Sequence, residues 1–164
     1  MRLSQLFPIL LFCTCLSGAT AQTFDLQSTH LAVGETFTSR VLFELGRWEM
    51  VDSSKLRVDI FAAFLQKHDS LVVEIGVHTD SRGPKNRSTI LSQKRATTIA
   101  DYLVAKGIAP DRLIPKGYEG TTPKVSDDAI SKMQTPAEKE AAHQQNRRTE
   151  IIILATDYVV DTKK

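Results

Sequence analysis

Apolar residues recur along this chain at two spacings, and together they lay out an alternation of strands and helices. Leu71, Val73, Ile75 and Val77 alternate with Val72, Glu74, Gly76 and His78, the period-two signature of a strand with one well-buried face. Leu56, Ile60, Ala63 and Phe64 recur at helical spacing, with Phe61 and Leu65 widening the stripe. Asp52, Ser53 and Ser54 supply caps for that helix, which is expected to end near Lys67 and His68. A second helix, starting between Ser88 and Ser92, buries Leu91, Ile99, Tyr102 and Leu103 and stops at Lys106-Gly107, with Pro110 beyond.

The remaining elements follow from shorter signals. Residues 41–45 are strand-like and stop at Gly46; Arg112-Leu113-Ile114-Pro115 leads another strand, whose proline demands an edge or a bulge. Thr135-Pro136-Ala137-Glu138 is a capping box with proline at the first helical position, so a short helix over residues 136–144 is expected within the polar stretch 120–145, as a surface element away from any ligand pocket. Arg148 to Leu154 closes the sheet. Residues 22–40 show no sustained period and read as an extended lead-in, and residues 156–164 as a polar tail. The order β-α-β-α-β-(α)-β predicts an α+β fold, a two-layer sandwich with helices on one face of a mixed sheet. The domain would span 41–155.

The N-terminal segment changes the picture of where the chain works. Arg2 precedes an apolar run from Leu6 to Leu16, and small residues follow up to Ala19-Thr20-Ala21, which is the layout of a secretory signal peptide (1–21) with cleavage before Gln22. The run is shorter than the ~20 apolar residues that span a bilayer. Export is the expectation. Both cysteines, Cys13 and Cys15, fall inside this segment, so the exported part would hold no disulfide or thiolate metal site. Phe12 and Thr14 before them are not the small residues that lipoprotein processing favours, which disfavours acylation. A net charge of +2, with basic and acidic residues interspersed, excludes strong electrostatic attraction to nucleic acid.

One residue is out of place in the helical pattern. Arg95 lies within the apolar stripe, four residues from both Leu91 and Ile99, and a buried guanidinium without a partner costs several kcal/mol. A carboxylate is expected to meet it, and Asp80, just past the strand end, is the nearest candidate in chain order. The pair can be a structural ion pair or a clamp for a zwitterion.

From Phe43 to Leu154 the chain resembles the OmpA-like C-terminal domain, the peptidoglycan-binding module of outer-membrane proteins, Pal-type lipoproteins and MotB-type stators. The resemblance is carried by Phe43-Glu44, by Gly76-Val77-His78-Thr79-Asp80 with Gly83, and by Leu91-Ser92-x-x-Arg95-Ala96. It continues through Tyr102-Leu103-x-x-x-Gly107-Ile108, Arg112-Leu113, Gly117-Tyr118-Glu119-Gly120-x-x-Pro123 and Asn146-Arg147-Arg148-Thr149-Glu150. It implies a ligand, the diaminopimelate of the peptidoglycan stem peptide. By the same resemblance Asp80 takes the ammonium, Arg95 the carboxylate, and Arg147 adds a second cation. Ser88 stands where the family usually has Asn, and Gly46 where it often has Asn or a similar polar residue, so the pocket would keep its charged clamp and lose amide contacts. Arg82 is placed at the pocket rim.

The expected function is therefore noncovalent peptidoglycan binding in the periplasm, with an outer-membrane or envelope protein as a further partner. The alternative is an envelope adaptor whose pocket is weak or unused. His78-x-Asp80 could supply two metal ligands, but no third ligand joins them at a metal-like spacing, and His78 reads as an exposed strand residue. Arg148 reads as a solvated charge. No cofactor is expected, and no nucleophile motif or phosphate loop supports an enzyme.

Overall fold

The computed structural model describes residue 23, residues 25–27 and residues 30–159. The expected signal peptide with Cys13 and Cys15, the cleavage point before Gln22 and the end of the polar tail lie outside the described residues. The elements run β1 (Thr36–Ser39), α1 (Asp52–Lys67), β2 (Val72–His78), α2 (Lys85–Ala105), a 3-10 turn (Pro110–Arg112), β3 (Leu113–Glu119), α3 (Asp127–Ser131), α4 (Pro136–Asn146) and β4 (Thr149–Ala155). The four strands form one mixed sheet in the order β1-β4-β2-β3, with β2 parallel to β3 and antiparallel to β4. This is the α+β architecture the periodicity implies. Among the described residues no helix is long and apolar enough to cross a membrane.

The core lies between the sheet and helices α1 and α2. Val73, Ile75 and Val77 of β2 and Ile151 and Ile153 of β4 meet Val58, Phe61 and Leu65 of α1 and Ala96, Ile99 and Leu103 of α2. Ile75 sits opposite both Ile151 and Pro115, which puts the proline on edge strand β3 where it removes no ladder bond from the interior. Gln93 of α2 covers that edge: its Oε1 accepts from Gly117 N–H at 2.9 Å and its Nε2 donates to Pro115 O at 3.0 Å.

Several expectations are corrected. The first strand is Thr36–Ser39, inside the stretch read as a lead-in, because it supplies antiparallel partners to Ile151 and Ile152; residues 41–45 contribute only an isolated bridge between Phe43 and Met50. In α1 the buried face is Ser54, Val58, Phe61, Ala62, Phe64 and Leu65, so Phe64, Phe61 and Leu65 of the expected stripe are inside while Leu56 (67% exposed) and Ile60 (60%) point to solvent. Val58 and Ser54 share a face with Phe61 and Leu65 at i, i+4 and i+7, so the stripe is rotated from the one drawn through Leu56 and Ile60. Val51, not an Asp or Ser, sits at its N-cap, without a side-chain cap. Helix α2 starts at Lys85, directly after Pro84, one turn earlier than its stripe suggested. Helix α3, capped by Ser126 accepting from Ala129 N–H at 3.2 Å, had no anticipated counterpart. Tyr158, in the stretch read as a tail, is tied to the body through Ser70 O and Asp111.

Strand β2 is buried on both faces, since Glu74 and His78 are as enclosed as Val73 and Val77. On the face away from α1 and α2, Tyr118 crosses Gly76, hydrogen-bonds Glu74 and stacks on His78 at 4.7 Å between ring centroids. The buried Arg112 is satisfied by the carbonyls of Leu65, His68 and Leu71 at 2.7–3.0 Å, pinning the end of α1 to the start of β2.

Candidate functional site

At the carboxyl end of β2 the chain leaves the sheet at Asp80, and a cleft of about 570 Å³ opens between that end, the turn 41–46, the first turns of α2 and the end of α4. Six arginines line it, Arg40, Arg82, Arg87, Arg95, Arg147 and Arg148, against two carboxylates, Asp80 and Glu140. The cleft is therefore cationic and suits an anionic or zwitterionic ligand.

Asp80 is the hub. Its Oδ2 accepts from Arg82 Nη2 at 2.7 Å, from Arg82 Nε at 3.1 Å and from Arg147 Nη1 at 2.5 Å. Its Oδ1 has one long contact, 3.4 Å from the Arg82 N–H, and so keeps most of its acceptor capacity. Glu140 of α4 bridges the same two arginines, at 2.8 Å from Arg82 Nη1 and 2.7 Å from Arg147 Nη2. Burial alone would raise the Asp80 pKa, but the hydrogen bonds from Arg82 and Arg147 outweigh it and hold the carboxyl below its ordinary value. Arg147 and Arg82 likewise hold Glu140 down to about 2. Arg147 is placed by Asn146, whose buried amide pairs with both the N–H and the C=O of Val125 at 2.9 and 2.8 Å, fixing the C-terminus of α4.

Arg95 is built differently. It is half-buried, its Nε donates to Arg47 O at 2.9 Å, and its guanidinium lies over the Phe43 ring at 4.7 Å. Among the described residues no carboxylate pairs with it, and its two terminal nitrogens carry no hydrogen bond to the protein. Burial, with the like charge of Arg147, pushes its pKa down, the signature of a cation short of a counter-charge.

A match to the protein-family model of the OmpA family covers residues 42–136, more than half of the chain and most of this cleft. The chain belongs to the OmpA family. It is 33% identical to outer membrane porin F of Pseudomonas fluorescens over 115 residues, which is 70% of this chain but only 32% of the porin. It is 30% identical to the peptidoglycan-associated lipoprotein of Legionella pneumophila, over 84% of this chain and 77% of that protein. The solved cell wall anchor of the T6SS from Pseudomonas aeruginosa superposes with a TM-score of 0.58 at 25% identity, covering 73% of this chain and 80% of that one.

In this OmpA-family chain the cleft brings together all six residues singled out from the sequence: Asp80, Arg95, Arg147, Ser88, Arg82 and Gly46. The pairing among them is not the expected one. Asp80 meets Arg82 and Arg147, while Arg95 meets a backbone carbonyl and an aromatic face, because the turn after Phe43 reaches α2 before any carboxylate does. Gly46 adopts φ +67°, a left-handed conformation that glycine and asparagine tolerate best. Asn86 lines a neighbouring groove, not this cleft, and its side chain accepts from Arg87 N–H.

Other corrections concern residues given plainer roles. His78 is 5% exposed, stacked on Tyr118, with Nδ1 3.0 Å from Thr122 Oγ1 and Nε2 3.0 Å from Glu150 Oε2 at an angle poor for a hydrogen bond. Arg148 is not solvated: it pairs with Glu150 at 2.6 Å and donates to Thr122 O at 3.1 Å. Helix α4 reaches the cleft through Glu140, against the expectation that it stands apart. The signal for Glu140 was its position seven residues before Arg147, two helical turns, which only matters once Arg147 is known to sit at the helix end. Among the described residues no three His, Cys, Asp or Glu side chains gather to hold a metal ion.

The carboxylate network sets the acid response. Contact with His78 and the hydrogen bond from Arg148 also hold Glu150 at about 2, against the opposing effect of its burial. A carboxyl whose pKa is depressed in the folded state stabilises fully above its ordinary value and loses that contribution as pH falls toward the depressed one. Glu140 and Glu150 thus stabilise the fold fully above the ordinary 4.5 and progressively less from there down to about 2, and Asp80 loses its contribution in the same direction as pH falls below 3.8. Calorimetry is expected to show a thermal midpoint nearly constant from about pH 8 to 6 and falling steeply below about pH 4. A midpoint unchanged between about pH 5 and 3 would contradict the network.

Proposed function

We propose that this protein binds peptidoglycan noncovalently in the periplasm, through the diaminopimelate of the stem peptide, and so anchors the cell envelope. The observation that carries the reading is Arg95: a half-buried guanidinium on a cleft wall that, among the described residues, has no carboxylate partner and no hydrogen bond to either terminal nitrogen. Such a fork matches a carboxylate bidentately. Asp80, on the same cleft, has Oδ1 open to an ammonium. Arg147 and Arg82 keep Asp80 ionised, so that it can accept an ammonium across the neutral range. Ser88 and Gly46 line the wall, and Glu140 balances the arginines so that the cleft is not uniformly cationic. The named relatives, a peptidoglycan-associated lipoprotein and a cell wall anchor, support the same reading. The binding domain comprises residues 41–155 together with strand β1 and follows a cleaved signal peptide.

Co-sedimentation with purified sacculi tests it. The protein is expected in the pellet, and free meso-diaminopimelate is expected to return it to the supernatant, whereas Nα-acetyl-lysine amide, which keeps a side-chain ammonium but has no carbon bearing both ammonium and carboxylate, is not. Failure to sediment with sacculi would favour the adaptor reading, in which another envelope component is the partner, and sacculus binding insensitive to diaminopimelate would overturn the diaminopimelate clamp.

A further inference from the structure

Beside the cleft lies a second groove, of about 320 Å³, which shares Gly46, Arg87 and Leu91 with it and is floored by Trp48 and Ile90. Trp48 is the single tryptophan of the chain and is 42% exposed. It is a fixed feature. The turn carrying it is closed by Glu44 N–H to Glu49 O at 2.9 Å and Arg47 N–H to Glu44 O at 3.0 Å, and Arg95 ties the Arg47 carbonyl to α2. Lys94 Nζ holds the ring at 4.0 Å from its centroid. A large aromatic surface kept rigid and partly in water, instead of folded onto the core, is the kind of surface that binds a ligand.

The groove's polar groups define what it would take. Among the described residues Arg87 and Lys94 have no carboxylate partner, and neither the Trp48 indole N–H nor the Asn86 Nδ2 is hydrogen-bonded to the protein; all are donors. An aromatic plate ringed by donors is complementary to a pyranose, whose C–H face packs on the ring while its hydroxyl and N-acetyl oxygens accept. We propose that the Trp48 groove is a saccharide subsite for the N-acetylated sugar to which the stem peptide is joined, occupied while the peptide lies in the cleft. This rests on the reading of the cleft given above. The two sites are contiguous, and a short peptide tether extending about 3.5 Å per residue is enough to connect them. Linking two weak contacts in one ligand raises affinity without either being strong alone.

Because Trp48 is the only tryptophan, its fluorescence reports on this groove alone. Three probes are titrated into the full-length protein: the diaminopimelate-containing stem peptide without sugar, the same peptide joined to the N-acetylglucosamine–N-acetylmuramic acid disaccharide, and the disaccharide by itself. The peptide is expected to bind without shifting Trp48 emission, and the sugar-linked peptide to bind about tenfold more tightly with a blue shift. Trp48→Ala should reduce the sugar-linked peptide to the affinity of the bare peptide and leave the bare peptide unchanged, and Trp48→Phe should recover part of the gain. Equal affinities of the two peptides with unshifted emission would overturn the subsite. If neither peptide binds, the cleft reading fails, and the disaccharide alone then decides: a blue shift at millimolar disaccharide keeps the saccharide site, and an unshifted spectrum removes it.

Discussion

Arg95→Ala protein is expected to stay in the supernatant when mixed with sacculi, while remaining folded. Among the described residues the guanidinium is half-buried and held only by a carbonyl and an aromatic ring, so a ligand carboxylate would be its first full counter-charge. Truncating one member of a charge-assisted contact costs about 2–5 kcal/mol, at least about thirtyfold in affinity, enough to remove a micromolar interaction from a pull-down. The fold has little to lose. The Arg47 carbonyl that Arg95 satisfies belongs to an exposed turn and can turn to water. Arg95→Lys separates charge from geometry: it keeps the cation and loses the fork, and is expected to bind between wild type and alanine.

Asp80→Asn is the companion variant, because alanine would leave Arg82 and Arg147 sharing Glu140 alone. The amide keeps the shape but not the charge that an ammonium needs, so binding should fall to a similar degree, with some loss of stability from the weakened network. Circular dichroism on each variant secures the interpretation. If folded Arg95→Ala and Asp80→Asn proteins both sediment with sacculi as wild type does, the cleft is not the peptidoglycan site.

The sequence disclosed the residues of the cleft better than their contacts. Arg95 was conspicuous because a charge interrupts an apolar stripe, and Asp80 because it ends a strand with an unmistakable alternation. Their partners were not legible, because ion pairing depends on which segment reaches a side chain first, and neither the turn at Phe43 nor the approach of α4 leaves a local pattern. The error in α1 has a similar root. Leu56 and Ile60 are as apolar as Val58 and Phe61, and only the position of the sheet decides which face is inside. Strand β1 was hidden because Thr36, Phe37, Thr38 and Ser39 are short and mostly polar, and become a strand by pairing with β4. His78 was placed at the surface on the assumption that β2 has one covered face, whereas Tyr118 closes the other.

Gly117→Ala is expected to be the most damaging single methyl group in the domain. A Cβ at position 117 would stand 2.4 Å from the backbone nitrogen of Gln93, 2.8 Å from its Cα and 2.5 Å from Ser92 Oγ. The obstacle is the backbone of a helix interior, not the end of a movable side chain, so β3 and α2 must separate. Separation breaks the two bonds from Gln93 to the β3 backbone and loosens the packing of Ala96 and Ile99 beneath them. The cost should lie at or above the upper end of the ~1–3 kcal/mol typical of overpacking, a large share of the ~5–15 kcal/mol that holds a domain together. Thermal unfolding should then begin at least about 6 °C lower. Gly107→Ala is the control. That residue sits at φ +92° with nothing within 4 Å of its Cβ position, so its cost is backbone strain of about 1–2 kcal/mol and no clash. Because α2 also carries Ser88, Leu91 and Arg95 over the end of β2, Gly117→Ala should weaken sacculus binding as well, whereas Gly107→Ala should leave it intact. A Gly117→Ala protein that melts at the wild-type temperature would show that α2 does not lie this close to β3, and with it the placement of Arg95 on the wall of the cleft would fall.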